Sequence, residues 1–322
     1  MEIGIDLGSS NVRVGIKGQG VMLTEPSVVA FDKDIREIKG IGEEAELLLS
    51  RTPGSIVELH PLKQGVISDY TGTKQMIEYF LQKALHMHNK PLVKPVLTMS
   101  IPCGISEVEK MALEGAALGA GARLVRLVEE PIAAALGVGI PINKPIGNMI
   151  VDIGGGSTDI AVLSLGQIVE KKSVKRAGND YDERIVRYLY EQHEVYVGWK
   201  SAEKLKNEIA SMHPSEQPQS YSIYGRSIHD LISREVLLSN SELTPVIQAT
   251  TEEIIDGISE VLEKTPVELL VDVYERGILF TGGGSRMAGL ESLIKERFGI
   301  KAIIPLEPQR AVSIGLLRKE AN

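Results

Sequence analysis

The sequence predicts a two-domain α/β protein, and three observations predict it. Its 322 residues amount to about two domains at the usual ~150 residues each. Apolar runs of strand length alternate with segments whose apolar residues recur at helical spacing. One short pattern also occurs twice: Ile5-Asp6-Leu7-Gly8-Ser9-Ser10-Asn11 near the start is echoed by Val151-Asp152-Ile153-Gly154-Gly155-Gly156-Ser157-Thr158-Asp159 in the middle.

Taken in order, Ile3 to Leu7 and Val12 to Ile16 flank the turn Gly8 to Asn11 and read as a hairpin. Thr71 to Leu85 sets Ile77, Phe80, Leu81, Ala84 and Leu85 on one helical face. Pro95 to Ile101 is a short apolar strand. It is followed by Ser106-Glu107-Val108-Glu109, a capping box in which Ser106 and Glu109 each satisfy a free amide at a helix start. Asn148 to Ile153 and Ile160 to Leu165 flank the second glycine turn, and Ile278 to Phe280 runs into a third, Thr281-Gly282-Gly283-Gly284. Two stretches read as smaller subdomains. One lies at Phe31 to Pro61, with the turn Thr52-Pro53-Gly54. The other lies at Lys172 to Leu238, with a polar loop at His213 to Pro218.

Composition narrows the function. A hydrophobic fraction of 43% with 24% charge suits a chain with a real core, and 32 glycines against 4% aromatics favour many tight turns. The net charge of −8, with Lys and Arg scattered, argues against nucleic acid as a partner. The lone Cys103 has no partner for a disulfide, which fits a reducing cytoplasm. Neither a signal sequence nor a run of ~18 apolar residues is visible, so the chain is expected to be neither secreted nor membrane-spanning.

Chemistry concentrates in four segments. In each echoed hairpin, glycine lets the backbone approach a phosphate, consecutive N–H groups can nest an anion, and Ser9, Ser10, Ser157 and Thr158 add donors. An Asp just before such a turn, Asp6 or Asp152, is placed to hold hydrated Mg²⁺, which takes carboxylate, water and phosphate oxygens. Alone, each is an ordinary β-turn; two, in different halves, make a grip on a phosphate tail. The third segment, Leu127 to Ala135, has Pro131 in a helix's first turn, leaving Glu130 to face the site and orient a water towards a terminal phosphate. The fourth, Thr281 to Arg286, offers bare backbone to a flat group such as adenine. Nothing matches G-x-x-x-x-G-K-[ST], which excludes a Walker-type enzyme.

These four segments, in this order, resemble the superfamily of actin, the heat-shock chaperone ATPases and sugar kinases. The phrases Ile3 to Gly8, Glu25 to Ala30, Gly42 to Ala45, Arg51 to Gly54, Pro61 to Ile67, Glu129 to Pro131, Val151 to Gly156 and Glu275 to Ile278 resemble the MreB family over essentially the whole chain. That resemblance implies an actin-like (ribonuclease H-like) two-domain fold with a nucleotide cleft, each domain carrying a small subdomain. The implied divisions are subdomain IA at 1–30, 62–137 and 306–322; IB at 31–61; IIA at 138–171 and 239–305; and IIB at 172–238.

It further implies ATP and Mg²⁺ as cofactors. Gly8, Ser9, Ser10 and Asn11 with Gly154, Gly155, Gly156 and Ser157 would contact phosphates. Asp6 and Asp152 would organise Mg²⁺, mostly through water, and Glu130 would position the attacking water. Glu203 and Lys206 would meet the nucleoside, and Gly283, Gly284, Ser285 and Arg286 would support the adenine side. Implied partners are further copies of the chain in filaments, as paired protofilaments, the inner face of the cytoplasmic membrane, and the cell-wall elongation machinery. Slow ATP hydrolysis would then serve rod-shape maintenance. Leu92-Val93, in the loop His86 to Lys94, reads either as a core-facing strand start or as the family's membrane-dipping pair. His86 and His88 read as solvent-exposed.

The chain departs from the family in two places, the second bearing on the nucleotide site or on an interdomain contact. The usual Thr-Ala after Gly8 is Ser9-Ser10, and the usual Gly-Asp-Glu is Gly178-Asn179-Asp180. Cys103 follows Ile101-Pro102, where a buried structural thiol is expected. No amphipathic N-terminal extension is visible, so membrane binding would rest on Leu92-Val93. Other readings of the scaffold are a small-molecule kinase, which needs an acceptor pocket; a chaperone, which needs a peptide-binding region; and a non-polymerising membrane-assembly adaptor.

Overall fold

In a computed structural model, which describes residues 1–51, 54–90, 92–214 and 217–318, the sequence echo becomes a structural one. The first half opens with an antiparallel meander of β1 (Glu2–Leu7), β2 (Asn11–Ile16) and β3 (Gly20–Pro26). A small insert follows: β4 (Val29–Asp32), β5 (Glu37–Ile41), α1 (Glu43–Arg51) and β6 (Ile56–Leu59), its three strands forming their own sheet. A short pair, β7 (Leu62–Lys63) and β8 (Val66–Ile67), leads to α2 (Tyr70–Met87), β9 (Val96–Ile101), α3 (Glu107–Gly119), β10 (Leu124–Glu129) and α4 (Glu130–Val138).

The second half repeats the plan with β11 (Asn148–Ile153), β12 (Thr158–Ser164) and β13 (Gln167–Val174). Its insert holds α5 (Gly178–His193), β14 (Val195–Tyr196), α6 (Trp199–Ile209), β15 (Ser220–Ser227) and β16 (Ser233–Ser239). Then come α7 (Asn240–Lys264), α8 (Val267–Arg276), β17 (Ile278–Thr281), a 3₁₀ turn at Gly283–Arg286, α9 (Leu290–Phe298), β18 (Ala302–Ile303), a second 3₁₀ turn at Pro308–Arg310, and α10 (Ala311–Arg318).

The main sheets run β10-β9-β1-β2-β3 and β18-β17-β11-β12-β13. In both, a meander supplies three strands and two parallel strands extend the first of them. The central strands β1, β9, β11 and β12 are buried nearly throughout, as strands covered on both faces must be. The expected helical face of α2 is the buried one, and the Ser106–Glu109 capping box starts α3 as its sequence indicates.

α4 leads out of the first half and α10 returns to it, and the two pack backbone to backbone. A Cβ on Gly315 would lie 1.7 Å from the Ala133 carbonyl oxygen, and one on Gly137 would lie 1.8 Å from that of Ala311. Ala133, Ala134, Ala135, Val312 and Leu316 join Ile150, Ala161 and Leu279 of the second sheet in one buried cluster, which also takes in Cys103. Cys103 is thus a buried thiol, and burial pushes its pKa up.

The expected turn at Thr52-Pro53 lies outside the described residues, as do Ser215 and Glu216 of the polar loop and residues 319–322. The flanking His213 is anchored, its ring nitrogen 2.6 Å from the Glu296 carboxylate. Among the described residues, no helix is long and apolar enough to cross a membrane.

Candidate functional site

The two halves face each other across a cleft of about 670 Å³. Its walls include Gly8 to Asn11 from the first hairpin, Gly154 to Ser157 from the second, and Glu130 from the start of α4. The hairpin tips touch. A Cβ on Gly155 would fall 2.0 Å from Ser10 Oγ, and one on Gly156 would fall 2.6 Å from Ser9 Oγ. Only glycine allows this approach. Ser9 Oγ also accepts the Gly65 amide at 3.1 Å, and Lys175 Nζ donates to the Gln64 carbonyl across the halves at 2.9 Å.

Carboxylates cluster at the ends of the strands. Asp6 closes β1, accepts from Ser100 Oγ at 2.9 Å, and lies 3.7 Å from Arg13, its register partner on β2. Asp152 sits near the end of β11 and accepts from Thr281 Oγ1. Burial raises the Asp6 pKa, and burial pushes Asp152 up to about 7, with the Asp6 and Asp159 charges adding to the effect. Glu130 is half-buried at the first position of α4, just after the N-cap Glu129. Burial, then the charges of Asp159, Asp152 and Asp6, hold its carboxyl well above the usual range. Asp159, pushed by burial up to about 6, accepts the Cys103 amide at 2.6 Å.

This donor set bears directly on a metal. Among the described residues, no three His, Cys, Asp or Glu side chains converge to hold an ion by themselves. Asp6 and Asp152 instead fit a hydrated cation that keeps waters and takes phosphate oxygens. The surplus of negative charge points the same way, because a bare polyphosphate beside these carboxylates would be repelled.

Glu203 and Lys206, one helical turn apart on α6, also line the cleft. Glu203 is exposed, whereas Lys206 is buried, donating to Asp182 at 2.8 Å and to the Gly178 carbonyl at 3.1 Å. The third glycine turn also borders the cleft. Gly283, Gly284 and Arg286 line the cleft, but a Cβ on Gly284 would strike the Ile153 side chain at 2.4 Å. One on Gly282 would strike the Ile153 carbonyl at 2.2 Å, so these two glycines chiefly let the turn pack on β11; Gly283 alone of the three has open space beside it. Ser285 is fully buried, donates to the Gly282 carbonyl, and does not line the cleft.

Leu92 and Val93 do not line the cleft. Leu92 is 96% exposed and Val93 37%, and the strand begins only at Val96, which overturns the reading of a core-facing strand start. His86 is exposed, whereas His88 is half-buried with its ring against Met22 Sδ.

Sequence reasoning passed over Arg13, Asp159 and Asp182. Each had a signal: Arg13 and Asp159 are charges within otherwise apolar strands, and Asp182 sits on the buried face of α5.

The whole chain, residues 1–322, matches the family model described as MreB/Mbl protein. The chain belongs to the MreB/Mbl family. Among MreB/Mbl relatives, it is 39% identical to the cell shape-determining protein Mbl of Bacillus subtilis, covering 98% of this chain and 94% of that one. It is 36% identical to the cell shape-determining protein MreB of Escherichia coli, covering 98% and 91%. The crystal structure of MreB5 of Spiroplasma citri bound to ADP superposes with a TM-score of 0.90 at 33% identity, covering 98% of this chain and 94% of that one. The same protein bound to AMPPNP gives equal values. The actin-like two-domain fold of the MreB/Mbl family is therefore the fold of this chain.

Proposed function

We propose that the chain is an ATP-dependent, filament-forming protein that determines cell shape. One observation carries this reading: two hairpins of matching design, each an Asp followed by glycine and hydroxyl residues, meet from opposite halves of a single cleft. The names of its Bacillus and Escherichia relatives support the cellular role, and the ADP- and AMPPNP-bound MreB5 supports the ligand.

In this reading the backbone amides and hydroxyls of Gly8 to Asn11 and Gly154 to Ser157 bind the phosphates. Asp6 and Asp152 hold Mg²⁺ through water, and the ion, when bound, neutralises phosphate charge. Glu130, facing the same end, accepts a hydrogen bond from the attacking water and aligns it. Glu203 and Lys206 border the nucleoside, with Gly283, Gly284 and Arg286 on the adenine side. Such phosphoryl chemistry is mainly positioning and charge stabilisation, which suits slow hydrolysis. The divisions at 1–30, 62–137 and 306–322, at 31–61, at 138–171 and 239–305, and at 172–238 form the four subdomains around the cleft.

Copies joined head to tail by a contact that does not close into a ring give a filament. Leu92 and Val93 touch the inner membrane face, where the filament guides the cell-wall elongation machinery. The exposure of Leu92, with Met87 also 52% exposed nearby, supports this assignment. Two such side chains contribute at most roughly 1.5–3 kcal/mol each, so attachment needs many subunits together.

The test is sedimentation with ATP and Mg²⁺, with and without anionic lipid vesicles, for the wild type and a Leu92→Ser/Val93→Ser variant. Filaments in the wild type, with only the lipid dependence lost in the variant, would support both parts. A wild type that binds ATP yet stays monomeric on lipid would sink the filament assignment and favour a non-polymerising adaptor.

A further inference from the structure

Ser10 and Asn179 come from opposite halves of the molecule, 169 residues apart, and meet across the cleft. Ser10 sits at the tip of the first hairpin and Asn179 at the second position of α5. The serine hydroxyl donates to Asn179 Oδ1 at 2.8 Å. The backbone holds Asn179 there independently: its amide donates to the Gly155 carbonyl at 2.8 Å, and the Gly178 amide to that of Gly154 at 3.1 Å. Both side chains line the cleft.

The chemistry of the pair follows from its donors. With Oδ1 occupied by Ser10, the carboxamide is fixed in one orientation, and Nδ2 keeps its two N–H donors on the other side. The side chain stands in the first turn of a 16-residue helix, at the positive end of its dipole. Beside it lie Gly154 and Gly155 of the second phosphate hairpin. A carboxylate at 179 could accept from Ser10 equally well, but it would offer no donor and would set a negative charge beside the phosphates.

We propose that Asn179 is a phosphate-positioning residue, oriented by Ser10, and that this pair ties polyphosphate binding to the contact between the two halves. The inference rests on the nucleotide-binding reading above. Because repulsion grows with ligand charge, a carboxylate at 179 penalises a triphosphate more than a diphosphate.

The experiment is calorimetric titration of AMPPNP and ADP, each with Mg²⁺, into the wild type, Asn179→Asp, Ser10→Ala, Asn179→Ala and the Ser10→Ala/Asn179→Ala double variant, with a melting curve for each. In Asn179→Asp, AMPPNP affinity is expected to fall by about tenfold or more, as for an added unit charge near an anion, and ADP affinity by less. The losses in the double variant are expected to be less than additive, because the part of the Ser10 effect that comes from orienting Asn179 is gone once Asn179 is removed. An AMPPNP-to-ADP ratio unchanged in Asn179→Asp, or fully additive losses, would overturn the inference while leaving the nucleotide site intact. A wild type that binds neither nucleotide would overturn the nucleotide-binding reading itself, and this inference with it.

Discussion

Lys206 donates its ammonium to the Asp182 carboxylate across 2.8 Å, with both side chains almost sealed from water, and thereby pins α6 to the first turns of α5. Removing one partner of a buried pair costs about 3–5 kcal/mol, because the other charge is left without compensation. Lys206→Met is therefore expected to lower the denaturant midpoint strongly, and Asp182→Asn, which keeps a hydrogen-bond acceptor, by less. Chemical unfolding of both variants checks this ordering.

The buried acids make stability fall with rising pH. Burial raises Asp182 to about 6 and Asp152 to about 7, both from an ordinary 3.8. Between those limits the folded chain binds more protons than the unfolded one, so this contribution is fully present below about pH 4 and is lost as pH rises through 6 to 7. His60, raised by its hydrogen bond to Glu58, acts in the same direction above pH 6.5. The ligand-free protein is thus expected to melt higher at pH 5.5 than at pH 7.5, with a smaller difference in Asp182→Asn. Melting curves with Mg²⁺ and nucleotide should show a weaker slope, because a cation favours the ionised Asp152.

Glu130 tests the hydrolytic assignment. Glu130→Gln keeps the shape and removes the charge, so phosphate release is expected to drop by about 10²-fold or more, the usual contribution of a positioned base. AMPPNP binding should be retained or slightly tightened, since one repulsive carboxylate is gone. Equal losses of binding and turnover would instead place Glu130 in the binding surface alone.

Much of this was legible in the sequence, for physical reasons that can be named. The hairpins at Gly8 and Gly154 and the cap at Ser106 are local devices, written into a few adjacent residues. What escaped depends on tertiary neighbours. Ser285 follows three glycines and reads as a site residue, but its side chain is fully buried and donates to the Gly282 carbonyl. Lys206 has the position expected of a nucleoside contact, yet only the fold brings Asp182 and the Gly178 carbonyl to its ammonium. Leu92-Val93 admits two readings from sequence, a core-facing strand start or a membrane-dipping pair, and only its exposure in the fold removes the first.

The contact between α4 and α10 gives a sharper stability test. Gly315→Ala is expected to cost about 3 kcal/mol or more, the upper range for overpacking, because the obstruction is backbone and no rotamer can yield. Gly115→Ala in α3, where a Cβ would meet only the Tyr70 hydroxyl at an ordinary 3.5 Å, is the matched control and should be neutral or stabilising. Thermal melts of the two variants give the comparison.

That same contact limits how the chain can drift. Gly137 and Gly315 each face a main-chain carbonyl of the opposite helix, that of Ala311 or of Ala133, and Gly137 also lies against the Gly315 amide nitrogen. A crowded side chain can be relieved by a second substitution that makes its neighbour smaller, but no substitution removes a carbonyl. At both glycines the obstruction is main chain, so shrinking a neighbouring side chain does not relieve it.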